Sequence, residues 1–308
     1  MPPRRLRSDL SAVLITLSCL LVPFGALAAW AAYGLADTGR YVTAMAPLAT
    51  DPAVREAVAD TVGDGILRAV DAHLDVRPAG GPVRPFVHDA VRSFTQTRAF
   101  RLAWDTGNQV THDTVLRALR ARDAHPVTVD LAPVTAQVKR QLARDHVPLA
   151  ARIPVEHTAL AVLPASRLAT LRRGFHVLEI AGFWLPVASV AFAAGGIALA
   201  VRRRRAVAAT ALGTALGGAL LVLALALGRG LTLADLPAGV SHAAAGAVYD
   251  ALTGSLRTTA WLLLGLGLAV ALTAWLTRRL RLPRPARHRR GPSAPAPAPA
   301  PAPTRARA

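Results

Sequence analysis

The chain has 308 residues, of which 53% are hydrophobic and 5% aromatic, and its mean hydropathy is +0.36. This composition excludes an ordinary soluble domain and indicates a membrane protein. The formal net charge of +18 would suit a nucleic-acid-binding protein, but the excess arginines lie at the ends of apolar runs, in residues 1–9, 202–205 and 278–308. Since no basic stripe alternates with stacking aromatic residues, nucleic acid is excluded as a partner.

The first apolar run follows a basic cytoplasmic lead, residues 1–9. Residues 10–36 carry no charge over a length greater than the roughly 20 residues that a bilayer requires. We predict an uncleaved transmembrane helix here. The alternative is a cleaved signal peptide, because Ala26-Leu27-Ala28 resembles a cleavage site. The single cysteine, Cys19, lies inside this run, so no disulfide bond holds the rest of the chain together.

Residues 37–175 form the only long polar segment and are predicted to be an extracytoplasmic domain. Asp51 and Pro52 are typical of a helix start, and apolar residues then recur every four positions from Val54 to Leu74. Further helices are predicted at 83–94, 97–122 and 132–144, and short strands at 127–131 and 157–163. The domain is therefore predicted to be helical-rich α+β.

Three more apolar runs complete a mainly α membrane protein with four transmembrane helices. The predicted segments are transmembrane helix 2 at 176–201, an arginine loop at 202–205, transmembrane helix 3 at 206–228, a second extracytoplasmic segment at 229–257 and transmembrane helix 4 at 258–277. Basic short loops stay in the cytoplasm, so Arg202, Arg203, Arg204 and Arg205 determine the topology. Both termini are then cytoplasmic, in a multi-pass plasma-membrane protein.

The tail, residues 278–308, is basic at first and then alternates proline with alanine. Such a repeat cannot form a core, so we predict a disordered cytoplasmic tail. Its arginines are expected to bind anionic lipids.

One helical face carries the best site candidate. Trp104, Asn108 and His112 are spaced four residues apart and therefore lie along one side of the third predicted helix. Trp offers a flat apolar wall, and Asn and His can exchange hydrogen bonds with a ligand or a partner segment. The structural alternative is that Trp104 fills the core while Asn108 and His112 bind the small sheet.

The remaining polar clusters lack the spacing of a known catalytic or metal motif. They are His88-Asp89, His112-Asp113, Glu156-His157 and the alternating set Asp71, His73 and Asp75. No phosphate-binding glycine loop and no nucleophile elbow is present in the sequence. Glu179 in the second transmembrane helix is expected to pair with Arg172, Arg173 or water. We predict no cofactor, no metal site and no enzyme activity.

Several motifs resemble an actinobacterial family of uncharacterised integral membrane proteins. They are Asp37-Thr38-x-Arg40-Tyr41-Val42, then Ala46-Pro47-Leu48-Ala49-x-Asp51-Pro52-Ala53-Val54, then Phe100-x-x-x-Trp104-x-x-x-Asn108-x-x-x-His112, then Val129-Asp130-Leu131-x-Pro133-Val134. The resemblance spans about residues 10–277, and it implies an architecture without implying an activity. The family commonly has an arginine where this chain has Gln109.

The leading functional hypothesis is a non-enzymatic envelope protein whose exported domain binds a partner protein or a wall component. An alternative is a transport or lipid-handling component, suggested by Pro186, the glycine-rich third transmembrane helix and the basic loop. A weaker alternative is an extracytoplasmic hydrolase that uses His112.

Overall fold

The structure is a computed structural model that describes residues 4–73, 80–121, 127–130, 132–144, 159–163, 165–237 and 239–279. These ranges contain the α-helices α1 Arg4–Trp30, α2 Thr38–Met45, α3 Pro52–His73, α4 Gly80–Thr95, α5 Arg98–Arg120, α6 Ala132–Arg144, α7 Ala165–Leu199, α8 Arg203–Ala234 and α9 His242–Arg279. A π-helical turn, Ala31–Leu35, continues α1, and a 3₁₀ turn, Ala46–Thr50, follows α2. Arg278 and Arg279 of the predicted tail are the last residues of α9, and residues 280–308 lie outside the described residues.

Four of these helices are long and apolar enough to cross a membrane. The candidate spans are Leu6–Leu35, Thr170–Leu199, Arg203–Ala234 and His242–Thr277, and their mean hydropathy lies between 1.8 and 2.3. Large apolar side chains on them are exposed, as lipid contact requires. On α8 they form one stripe at helical spacing, consisting of Leu212, Leu216, Leu220, Leu223, Leu227 and Leu231. The chain is a membrane protein.

Three helices are longer than the predicted transmembrane segments. Helix α7 has 35 residues and begins within the predicted extracytoplasmic domain, and helix α8 has 32 residues and extends beyond both ends of 206–228. Helix α9 has 38 residues and joins the predicted extracytoplasmic segment 229–257 to the fourth transmembrane segment without a break. Since each helix passes from a polar stretch into an apolar one without interruption, helix ends do not mark the membrane boundaries, and the predicted segment limits stay predictions.

The bundle is built from two closely packed helix pairs. In the first, α1 lies against α7, where the hydroxyls of Ser18 and Ser189 each donate to the other's carbonyl oxygen, at 2.8 Å and 3.2 Å. In the second, α8 and α9 meet at Gly218 and Gly267. A Cβ at Gly267 would stand 2.6 Å from the carbonyl oxygen of Ala211, so only glycine permits this backbone approach.

Two glycines of the third transmembrane helix, Gly213 and Gly217, face α1. A Cβ at Gly213 would overlap the sulfur of Cys19, and one at Gly217 would lie 3.2 Å from Cδ of Pro23. The small-residue spacing therefore brings α8 onto α1 and joins the two pairs.

A helical body stands at one end of the bundle. Its core contains Met45, Leu48 and Val54, and the first part of α9 packs against them through Ala244, Ala247, Val248, Ala251 and Leu252. Helix α3 begins as predicted, because Asp51 Oδ1 accepts hydrogen bonds from the backbone N–H groups of Ala53 and Val54 at 2.9 Å and 3.1 Å. We call the helices α2, α3, α4 and α5, with the 3₁₀ turn and the first part of α9, the body.

The predicted α+β class of this domain is wrong. The described residues of the body are helical, and extended backbone is confined to a short antiparallel pair, β1 Val127–Asp130 and β2 Ala159–Leu163. A pair of four and five residues cannot form a sheet layer, because such a ribbon is marginally stable without further strands. The hydrophobic core of the body lies between helices instead. The alternating apolar pattern of these two stretches therefore does not indicate the fold class of the domain.

Candidate functional site

Helix α5 positions the predicted site residues. Its N-cap is Thr97, whose hydroxyl accepts a hydrogen bond from the N–H of Phe100 at 3.2 Å, and its buried side includes Ala99, Phe100 and Leu116. With 3.6 residues per turn, Trp104, Asn108 and His112 lie on one face, and this face is turned toward α2 and the end of α1. The structure therefore brings all three residues to one surface.

Trp104 binds the chain where α2 ends. Its Nε1–H donates to the carbonyl oxygen of Met45 at 2.9 Å, and its ring lies 6.1 Å from that of Phe100. Met45 is the last residue of α2 and directly precedes the 3₁₀ turn, so the indole holds α5 against the junction of these two elements. Trp104 also packs against the core of Met45, Leu48 and Val54.

His112 holds the exit of the first candidate span. Its Nε2 lies 2.9 Å from the carbonyl oxygen of Leu35, the last residue of the π turn, and its Nδ1 lies 3.1 Å from the hydroxyl of Thr38. The same hydroxyl donates to Asp113 at 2.5 Å. A carbonyl oxygen can only accept, so Nε2 carries a proton in this arrangement. Both ring nitrogens are used in joining α5 to the start of α2.

Asn108 completes the same contact surface. Its amide donates to the carbonyl oxygen of Trp104 at 2.8 Å, and its side-chain oxygen lies 3.4 Å from the hydroxyl of Tyr41. The ring of Tyr41 stacks on His112 with centroids 4.2 Å apart and planes inclined by 17°. Burial raises the pKa of the Tyr41 hydroxyl, so this group stays a hydrogen-bond donor.

Thr38, Tyr41 and Asp113 are site residues that the sequence did not single out as partners of this face. Thr38 and Asp113 are 75 positions apart, and helical spacing relates only residues of one element. The one local signal was Asp37, the N-cap of α2, which accepts from the N–H of Arg40 at 2.8 Å and so fixes where α2 begins. The structural alternative predicted that Trp104 packs in the core and that Asn108 and His112 form hydrogen bonds within the protein, and this geometry agrees with it. The partners, however, belong to α2 and the π turn and not to a sheet.

Beside this face lies a cavity of about 530 Å³, which we call the body cleft. It opens between α3, α4 and α5, and nearly all of its lining is apolar: Val58, Val62, Val91, Phe94, Phe100, Ala103, Trp104, Gly107 and Val115, with Tyr41, Thr95, Asn108, Thr111 and His112 adding the polar atoms. A Cβ at Gly107 would meet no atom within 4 Å, because this glycine faces the open cleft. A few polar atoms in an apolar cavity of this volume are typical of a binding site.

The other histidine cluster is an exposed contact between α3 and α4. Nδ1 of His88 lies 3.6 Å from Asp60, and its Nε2 lies 3.4 Å from Asp64. The ring also packs on Gly63, where a Cβ would stand 2.9 Å from Nδ1, so this glycine lets α4 approach α3 closely. Among the described residues, no group of three His, Cys, Asp or Glu side chains could hold a metal ion. Asp75, Glu156 and His157 lie outside them.

Two acidic residues, Glu179 and Asp250, form three ion pairs near the body. Glu179 lies 3.6 Å from Nε of Arg120, a partner that the sequence did not suggest, and the guanidinium of Arg120 lies over the ring of Phe175 at 5.7 Å. Asp250 on α9 accepts from Arg257 at 2.6 Å and lies 3.3 Å from Arg229 on α8. These contacts hold helices together and are partly exposed.

The four predicted topology arginines lie at the opposite end of the bundle from the body. Arg202 is the N-cap of α8, and Arg203, Arg204 and Arg205 form its first turn. All four are exposed.

Comparison with known proteins adds no relative. No protein-family model, no curated protein and no solved structure matches the chain. The resemblance to an actinobacterial membrane-protein family therefore stays a prediction that rests on the sequence motifs.

Proposed function

We propose that this chain is a non-catalytic envelope protein, anchored by four transmembrane helices, whose extracytoplasmic body binds an apolar segment of a partner protein in the body cleft. The observation that carries the proposal is the cleft itself, an apolar cavity of about 530 Å³ between three helices. Recognition of this kind places the apolar face of one helix into a groove between others.

The shape of the α3 wall supports a helical occupant. Val58 and Val62 line the cleft one turn apart, and Ile66 follows one turn later. Val62 and Ile66 are 43% and 41% exposed, which is unusual for β-branched apolar side chains in a body outside the membrane. An apolar stripe with helical spacing matches the i, i+4 anchors of a partner helix.

The hydrogen bonds of the α5 face argue against catalysis. Both nitrogens of His112 and the indole N–H of Trp104 are engaged with backbone or side-chain partners of α2 and the π turn. A general base must reach the proton of a substrate, and these groups are already committed to helix contacts. The polar groups shape one wall of the cleft and do not supply a nucleophile.

Lipid handling is the second candidate, and one observation favours it. Tyr41 and His112 line the cleft, and His112 also binds the carbonyl of Leu35, the last residue of the first candidate span. One side of the cleft therefore lies next to the end of the first candidate span. An acyl or isoprenoid chain could pass from the bilayer into a cavity placed there.

Photo-crosslinking distinguishes these candidates. Benzoylphenylalanine at Val62 in the full-length protein, irradiated in cells, is expected to give a discrete protein adduct. The variant Gly107→Leu fills the cleft and should abolish that adduct, whereas Gly65→Leu is the matched control, because a Cβ at either glycine meets no atom within 4 Å and Gly65 lies outside the cleft lining. A lipid adduct with the same dependence would establish the second candidate. An adduct unaffected by Gly107→Leu would remove both.

A further inference from the structure

We propose that the arginine end of the bundle, residues 200–205 together with the adjoining turns of α1 and α8, contains a binding site for the headgroup of an anionic phospholipid. A second cavity, of about 630 Å³, opens here between the start of α1, the end of α7 and the start of α8. We call it the arginine cleft. It lies at the far end of the bundle from the body cleft and is independent of the function proposed for it.

The arginine cleft offers positive charge that the protein does not neutralise. Arg202 and Arg205 line it, and within the part of the chain that the structure describes no carboxylate lies within 4.0 Å of either guanidinium. Asp9 on α1 is exposed and does not line the cleft. A planar guanidinium binds phosphate oxygens through two parallel hydrogen bonds, so two of them suit a phosphodiester.

Two residues that line the cleft, Ser11 and Ile15, are held in place by tight contact of α1 with α7. The hydroxyl of Ser11 donates to the carbonyl oxygen of Gly196 at 2.6 Å, and a Cβ at Gly196 would stand 2.8 Å from Ile15. Ala200, Ala206 and Ala209 are the small residues of the other wall, and they leave the space open. The hydroxyls of Ser8 and Thr16 add donors beside the arginines.

The position of the cleft selects a lipid over a free anion. The candidate spans begin at Leu6, end at Leu199 and begin again at Arg203, so the ends of three candidate spans coincide around the cavity. Headgroup phosphates lie where transmembrane helices leave the hydrocarbon core of a bilayer. Basic pockets between transmembrane helices at such a boundary bind anionic headgroups.

The test titrates the purified full-length protein in neutral detergent with phosphatidylglycerol or phosphatidylcholine and counts bound lipids by native mass spectrometry. The double variant Arg202→Ala, Arg205→Ala is expected to weaken phosphatidylglycerol binding about tenfold or more, since each arginine near the headgroup contributes roughly 1 kcal/mol. The matched control is Arg203→Ala, Arg204→Ala, which removes the same charge from the same loop but outside the cleft lining. It should weaken binding about threefold or less.

Three outcomes would overturn the proposal. Equal losses in the two double variants would mean that the loop attracts anions through its net charge alone. Equal binding of phosphatidylcholine would mean that the charge is not recognised. Displacement of phosphatidylglycerol by an equal concentration of inorganic phosphate would assign the cleft to a free anion. If the first variant does not fold, Ala209→Trp fills the same cleft without changing charge and should give the same loss.

Discussion

The two ends of the membrane bundle differ in how their polar side chains are used. At the body end, His112, Thr38 and Asp113 form a continuous set of hydrogen bonds around the carbonyl of Leu35. At the arginine end, four guanidinium groups are exposed and no described carboxylate pairs with them. Polar residues at a conspicuous spacing on α5 thus form hydrogen bonds within the protein. The loop arginines, predicted to determine topology, keep their guanidinium groups available to a ligand.

The largest effect on stability is expected from removing the imidazole of His112 at the body end. His112→Ala removes the imidazole that bonds the carbonyl of Leu35, removes one of the two partners of the Thr38 hydroxyl, and removes the stacking on Tyr41. Each buried polar group left unsatisfied costs roughly 1–3 kcal/mol, so we expect a loss of about 3 kcal/mol in the free energy of unfolding. Thermal unfolding of the purified protein in detergent measures it. Gln109→Ala, on the exposed side of α5, is the control, and equal melting of both variants would contradict the structural role.

A second variant tests the bundle that connects the two ends. Gly267→Ala places a Cβ 2.6 Å from backbone atoms of Ala211 and Ala215, and such overpacking costs about 1–3 kcal/mol. Gly265→Ala, two positions away on α9, meets nothing within 4 Å and should gain up to about 1 kcal/mol from helix propensity. The melting temperatures of both variants, measured side by side, should move in opposite directions. Equal shifts would mean that α8 and α9 do not touch at Gly267.

A smaller effect of opposite sign is expected at Asp105, next to Trp104 on α5. Burial raises the pKa of this carboxyl above its ordinary value of 3.8, so the folded state binds the proton more tightly than the unfolded state does. The stability contributed by Asp105 is therefore complete below pH 3.8 and is lost as the pH rises through the raised pKa. Asp105→Asn should melt at a higher temperature than the natural chain at pH 7, and the difference should vanish in acid. A lower melting temperature at pH 7 would show that the carboxylate is stabilising.

The smallest effect on stability is expected at the arginine end. Arg202→Ala, Arg205→Ala removes exposed side chains that make no ion pair with a described residue, so the free energy of unfolding should change by less than about 0.5 kcal/mol. The same thermal measurement in lipid-free detergent tests it. A loss comparable to that of His112→Ala would mean that the arginines hold the fold and that the two ends do not differ.

Much of the membrane part could be predicted from the sequence, because bilayer thickness and charge act on single segments. Four long apolar runs predicted four spans, and Asp51 and Pro52 predicted the start of α3. The α+β class failed for the opposite reason. Alternating apolar residues in two short stretches are typical of strands. The fold class of a domain depends on how many strands pair into a sheet, and a local sequence pattern does not predict that number.

The sequence predicted which residues of the candidate site share a face but did not predict their partners. Helical spacing placed Trp104, Asn108 and His112 on one face, which the structure also does, but their partners come from α2 and from the π turn, far away in the chain. The body cleft needs three helices in contact, so no spacing within one helix could predict it. The sequence pointed to the arginine loop as a topology determinant and as a hint of lipid handling, but it could not predict the arginine cleft, because the lining combines Ser11 of α1 with residues around the start of α8 that are far away in the chain.

The most direct test of the difference between the two ends is to find the side of the membrane on which each lies. Single cysteines at Gln96, exposed in the body, and at Arg203, in a chain carrying Cys19→Ala, would be treated in intact cells with a membrane-impermeant maleimide. We expect Gln96→Cys to be labelled in intact cells and Arg203→Cys to be labelled only after the membrane is permeabilised. Labelling of both positions in intact cells, or of Arg203→Cys alone, would contradict an extracytoplasmic body and a cytoplasmic arginine loop.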